Sequence, residues 1–144
     1  MRSPGTPVGL QLAHSAKHVG RAFNDALAGV GGSMPMWFIL TNLQGAAWRT
    51  QHELARALHI EGPTLTRHID GLEEEGLVVR RRDASDRRAV SVELTDAGRA
   101  KHSELFRAVQ AFNRRLLNGF SAEEIDELRA LLARLEQNAR TGPA

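Results

Sequence analysis

The stretch that most constrains this chain of 144 residues runs from Arg80 to Arg99. Three arginines (Arg80, Arg81, Arg82) lead into the loop Asp83-Ala84-Ser85-Asp86-Arg87-Arg88, after which Val90, Val92 and Leu94 alternate with Ser91 and Glu93. A period of two marks a half-buried strand. Leu77, Val78 and Val79 offer an apolar partner on the other side of the loop, so the segment is expected to form a wing of two strands joined at a charged tip. Its five arginines suit a phosphate backbone, because a planar guanidinium matches phosphate forks and a narrow minor groove.

The charge balance limits how far that reading extends. The sequence pI of about 9.9 accompanies a formal net charge of only +2. With no Cys and no Tyr, few groups titrate between neutral pH and the Lys/Arg range, so a small basic excess lifts the pI far. Clustering is what matters: base gathers at Arg80 to Arg88, acid at Glu73-Glu74-Glu75 and at Glu123-Glu124-Asp126-Glu127. A local patch, not a global field, would meet a polyanion. The absence of Cys rules out disulfides, thiolate nucleophiles, Cys-based zinc sites and thiol-based oxidant sensing, and fits a reducing compartment. Met1 to Leu12 has no apolar core of signal-peptide length and no run approaches a membrane span, so a cytoplasmic protein without a membrane partner is expected.

Punctuation and periodicity divide the chain into an arm (1–9), N-terminal helices (10–46), a helix-turn-helix with its wing (47–94), C-terminal helices (95–139) and a tail (140–144). Leu12, Ala16, Val19, Phe23, Leu27 and Val30 recur at helical spacing until Gly29, Gly31 and Gly32 intervene. Ser33 and Pro35 open a very apolar second helix through Met36, Ile39 and Leu43. Thr50 with Glu53 forms a capping-box pattern before a short helix. Gly62-Pro63 begins the next helix, whose inward stripe is Leu65, Ile69 and Leu72 and whose end is Gly76. Thr95 is placed to cap a long helix along Leu105, Val109, Phe112 and Leu116; Ser121 with Glu124 opens the last one, along Ile125, Leu128, Leu132 and Leu135. The fold class is mainly α with a small β-hairpin wing: a winged helix-turn-helix between N- and C-terminal helices.

The face of the fourth helix opposite its stripe carries Pro63, Thr66, Arg67, Asp70 and Glu74, flanked by Thr64 and Gly71. Its first turns offer hydroxyls and an arginine; its end is acidic, where phosphate would be repelled. The N-terminal half is therefore the reading half, with Arg67 able to donate two bonds to guanine O6 and N7, Thr64 and Thr66 suited to phosphate or a thymine methyl, and His68 beside them.

On Pro63-Thr64-Leu65-Thr66-Arg67, Leu72-Glu73-Glu74-Glu75-Gly76-Leu77, and Asp83 to Arg88 running into Val92-Glu93-Leu94-Thr95-Asp96-Ala97-Gly98-Arg99, the chain resembles the MarR family of bacterial regulators, particularly its SlyA-like branch. The resemblance implies a homodimer paired through the first, fifth and sixth helices, with recognition helices in successive major grooves of double-stranded DNA and wings in the flanking minor grooves. It implies that Arg67 contacts bases, that Arg87 enters the minor groove, and that Arg88 with Asp83 or Asp86 braces the wing. His59 stands in the turn where such motifs often place glycine.

The function expected is a ligand-responsive transcription regulator, most often a repressor in such families, on a pseudopalindromic operator. The alternative is a winged-helix interaction module that pairs its arginines with an acidic partner. His14, His18, Phe23, Met34 and Trp37 are candidates for a pocket taking a small aromatic effector, as the resemblance suggests, although core packing is the better account of the apolar ones. No cofactor is expected. His14 and His18 lie one helical turn apart, with His102 as a third candidate ligand, yet no Cys or acidic cluster completes a metal site. His52-Glu53 begins like the zinc-protease motif, but Arg56 stands where its second histidine must be. Gly29-Val30-Gly31-Gly32 lacks the lysine of a phosphate loop, and Ser33 and Ser121 are better explained as helix caps than as nucleophiles, so no enzyme is expected.

Overall fold

A computed structural model describes residues 5–46, 49–82 and 89–142. In chain order the elements are α1 (Val8–Ala28), α2 (Met34–Gln44), β1 (Arg49–Thr50), α3 (Gln51–Leu58), α4 (Gly62–Glu74), β2 (Val78–Arg82), β3 (Val90–Leu94), α5 (Asp96–Leu116) and α6 (Ala122–Arg140). They form two compact units, Met1–Gln110 and Ala111–Ala144. The first is a winged helix-turn-helix preceded by two helices.

Local signals account for most element ends. The Thr50 hydroxyl accepts from the Glu53 amide at 3.0 Å while the Glu53 carboxylate accepts from the Thr50 amide at 3.1 Å, closing the capping box of α3. Ser121 and Glu124 do the same for α6, at 3.1 and 2.8 Å. At the end of α4, Gly76 adopts φ +74°, so that the Leu77 amide reaches back to the Leu72 carbonyl at 2.9 Å and the Gly76 amide to that of Glu73 at 3.0 Å. This is a Schellman motif, and the two leucines that flank it are both buried. The turn after α3 is built the same way around His59, which takes φ +52° without being glycine; the Ile60 amide bonds the Ala55 carbonyl at 3.0 Å. The glycine that such turns often carry is replaced by a residue that tolerates the left-handed region less readily.

Two boundaries and the strand count of the wing differ from expectation. Helix α1 starts at Val8, so Val8 and Gly9 are helical and not part of an arm: the Pro7 carbonyl already accepts from the amides of Leu10 and Gln11 at 2.9 and 3.0 Å. Helix α6 continues through Arg140. The wing sheet has three strands in the order β1-β3-β2, all antiparallel, because Arg49 and Thr50 pair with Val92 and Ser91. A two-residue edge strand has no alternation by which to announce itself.

The core of the first unit joins Leu27 of α1, Met36, Ile39, Leu40 and Leu43 of α2, Leu54 of α3, the α4 stripe Leu65, Ile69 and Leu72, Val78 and Val92 of the sheet, and Leu105 of α5. The near-continuous apolar run of α2 is explained by contact on several sides. In the hairpin, Val78 pairs with Leu94, Arg80 with Val92 and Arg82 with Val90. Paired residues share a face of the sheet. The buried Val78 and Val92 therefore set Arg80 on the inner face.

Candidate nucleic-acid interface

Helix α4 presents the expected polar face, but its residues are not equivalent. Pro63, Thr64 and Arg67 are exposed, and neither Thr64 nor Arg67 makes a side-chain hydrogen bond or ion pair among the described residues. Thr66 is half-buried and engaged: its hydroxyl donates to the Gly62 carbonyl at 3.0 Å and accepts from the Gln51 side-chain amide at 2.6 Å. Thr66 thus ties α4 to α3. His68 is half-buried on the opposite flank, where with Arg67 it borders a cleft of about 190 Å³ against Ser33, the cap of α2, and Met36. A second cleft, of about 370 Å³, lies between α3 and α4 and is bordered by Gln51, His52, Ala55, Arg56, Ile60, Gly62 and Thr66.

The arginines of the wing also divide. Arg80, expected among the phosphate contacts, is turned into the molecule. Its Nη1 lies 2.7 Å from Asp70 Oδ1 and 3.2 Å from Glu73 Oε1, its Nη2 donates to the Thr66 carbonyl at 3.2 Å, and its Nε donates to Gln51 Oε1 at 3.3 Å. Its backbone amide donates to Glu73 Oε2 at 3.0 Å. One guanidinium thus joins β2 to α3 and α4. The alternation that buries Val78 was the available signal, since Arg80 lies two residues on; Gln51 carried no signal of its own. Arg81, on the outer face, pairs diagonally with Glu93 at 3.2 Å, an ordinary cross-strand contact. Arg82 is exposed and has no side-chain partner among the described residues. Arg87, Arg88, Asp83 and Asp86 lie outside the described residues.

The acidic end of α4, expected to be shunned by phosphate, is partly neutralised: Asp70 and Glu73 share Arg80, while Glu74 and Glu75 stay exposed.

The Thr95 to Arg99 segment is a joint. The Thr95 hydroxyl accepts from the Gly98 amide at 3.0 Å, capping α5, and donates to the Gly76 carbonyl at 2.6 Å; the Thr95 amide bonds the Leu77 carbonyl at 3.1 Å. A Cβ on Gly98 would stand 2.0 Å from the Leu77 oxygen, so only glycine lets α5 pass this close to the end of α4. Arg99 is held by Asp96 and by the Leu94 carbonyl.

The five proposed pocket residues are not gathered around either cleft. His14 and His18 are exposed on α1, while Phe23, Met34 and Trp37 are partly buried against the core. Trp37 stacks on His102 with centroids 5.2 Å apart and planes 6° from parallel, and Phe106 packs 6.3 Å from both rings. His102 Nε2 lies 3.4 Å from the Thr41 hydroxyl, and burial lowers the imidazole pKa below its ordinary value. Among the described residues, no group of three or more His, Asp or Glu is placed to hold a metal ion. No helix of the described residues is long and apolar enough to cross a membrane.

The MarR family model matches residues 33–90, from the cap of α2 to the first residue of β3. Similar solved structures extend the likeness over most of the chain. The transcriptional repressor CouR, bound to a 23-mer DNA duplex, is 30% identical with a TM-score of 0.83, over 90% of this chain and 92% of that one. A probable transcriptional regulator from Pseudomonas aeruginosa is 30% identical with a TM-score of 0.78, over 89% and 96%. A mutant of MarR from E. coli, complexed with operator DNA, is 28% identical with a TM-score of 0.80, over 90% and 93%. With a winged helix-turn-helix of this geometry and relatives of this extent, the chain belongs to the MarR family.

Proposed function

We propose that this protein is a sequence-specific, double-stranded-DNA-binding transcription regulator of the cytoplasm, a ligand-responsive repressor that acts as a homodimer on a pseudopalindromic operator. The observation that carries the reading is the first turns of α4: Pro63, Thr64 and Arg67 are exposed, and Arg67 has no side-chain partner among the described residues, while its neighbours Thr66 and Arg80 are tied inward. An unpaired guanidinium on a rigid helix is suited to bidentate bonding with a guanine edge. CouR, bound to a 23-mer DNA duplex, and E. coli MarR, complexed with operator DNA, support double-stranded DNA as the partner. The wing supplies the second contact, with Arg82 at its described edge; Arg87, which lies outside the described residues, is the minor-groove candidate from the sequence. Within the family we place the chain with the SlyA-like branch, on its Asp83 to Arg99 pattern.

Dimerisation is supported by apolar side chains on helices that leave them open. Not one residue of α6 is buried, although Leu128, Leu131, Leu132 and Leu135 follow helical spacing; α1 likewise exposes Val8, Leu12 and Val19. Such stripes are covered by another helix in stable proteins. Two half-sites would lie about one helical turn, roughly 34 to 36 Å, apart. A small aromatic effector would act by binding one spacing of the two recognition helices better than another.

Selection of bound duplexes from a random library tests this reading. A two-fold-symmetric consensus is expected; enrichment of no sequence, with retention on acidic protein at low salt, would replace it with the interaction-module reading.

A further inference from the structure

We infer that Arg80 is a positioning residue for sequence reading: it does not touch DNA, but fixes the angle between wing and recognition helix and offsets part of the charge of two carboxylates on the groove side of α4. The inference rests on the DNA-reading assignment above. Three observations carry it.

The first is directional. Every donor position of the Arg80 side chain that the structure shows engaged is spent within the protein, on Asp70, Glu73, Thr66 and Gln51. Its side chain is 21% exposed, against 65% for Arg81 next to it. The second is topological. The partners belong to both helices of the helix-turn-helix, and Gln51 closes the loop by donating to the Thr66 hydroxyl. The network therefore spans the parts whose mutual geometry decides whether a wing and a helix reach adjacent grooves together. A planar fork can hold several acceptors at fixed angles, which an ammonium on a flexible stem cannot.

The third is electrostatic. Asp70 is 55% exposed and sits one turn beyond Arg67 on α4, where an uncompensated carboxylate would face phosphate. Arg80 supplies the compensating charge from inside the fold. Removing it would impose two penalties that separate experimentally: loss of alignment, which weakens only the correct sequence, and release of negative charge, which weakens binding to any duplex.

The test is fluorescence anisotropy of the full chain on a library-selected duplex and on a scrambled duplex of equal length and composition, across a salt series. Arg80→Lys keeps the charge and loses the fork: binding to the scrambled duplex is expected within twofold of wild type while the preference for the selected duplex falls about tenfold. Arg80→Gln is expected to weaken both, and adding Asp70→Asn and Glu73→Gln to it should restore scrambled-duplex affinity without restoring preference. Circular dichroism of each variant verifies folding, and Arg80→Lys decides the matter if Arg80→Gln is unfolded. Undiminished preference in folded Arg80→Lys overturns the proposal. So does a salt slope that drops by about 0.9 in Arg80→Gln, the change for one lost phosphate contact. A wild-type chain with no preference between the duplexes overturns the DNA-reading assignment itself, whatever Arg80 does.

Discussion

Single side chains with the same charge do different work here. Arg67 and Arg80 both belong to the winged helix-turn-helix, yet among the described residues one has no side-chain partner and the other is fastened in several directions. Arg67→Ala is accordingly expected to cost about 1–3 kcal/mol of discrimination at one base pair, measured by anisotropy against single-site variants of the selected duplex. Glycines separate in the same manner. Gly98→Ala would drive a Cβ to 2.0 Å from a backbone oxygen, whereas Gly32→Ala would meet the tip of Leu105 at 2.3 Å. Both should destabilise, Gly98→Ala by on the order of 3 kcal/mol and Gly32→Ala by less, in urea denaturation, because a side chain shifts more readily than a carbonyl that is itself hydrogen-bonded. His102 adds a pH dependence. Its folded pKa lies below that of the unfolded chain, so on acidification the unfolded state takes up its proton first and the fold loses stability as pH falls below about 6.5. Melting temperatures at pH 7.5 and 5.5 should differ more in wild type than in His102→Gln. The sequence identified Arg67 because it stands opposite an apolar stripe; it misassigned Arg80 because a charge run looks solvated until the strand register is known.

At the scale of elements, the chain's own punctuation is nearly sufficient. Capping boxes at Thr50 and Ser121, the Gly76 stop and the Thr95 cap are each set by residues three to five apart, and so are legible without a fold. Ser121→Ala should remove about 1 kcal/mol from the stability of α6, visible as lowered helicity by circular dichroism at moderate temperature. The turn at His59 is the instructive exception. Its φ of +52° is enforced by the helices on both sides, which keep the helix-turn-helix compact despite the absence of glycine. His59→Gly should fold without loss, while His59→Val should cost about 1–2 kcal/mol in chemical denaturation, since a β-branched residue resists the left-handed region. Strand β1 escapes sequence reading for the opposite reason: two residues contain no period, and only the neighbouring β3 makes them a strand.

For the whole molecule, the open stripe on α6 and the apolar positions of α1 set the expected assembly. Leu131→Glu with Leu135→Glu should shift sedimentation velocity toward the monomer and weaken binding to a two-half-site duplex by tenfold or more, with single half-site binding less affected; unchanged sedimentation would refute dimerisation through α6. The sequence by itself determined the order of helices and wing, their caps, the α4 stripe and the exposure of Arg67, because each follows from periodicity or from contacts close along the chain. Only the tertiary structure decided that Arg80 and Thr66 face inward, that Gly98 lies against Leu77, and that Trp37 stacks on His102. Those facts depend on which surfaces meet across tens of residues, and a side chain's partner at that separation is set by packing, not by its neighbours in sequence.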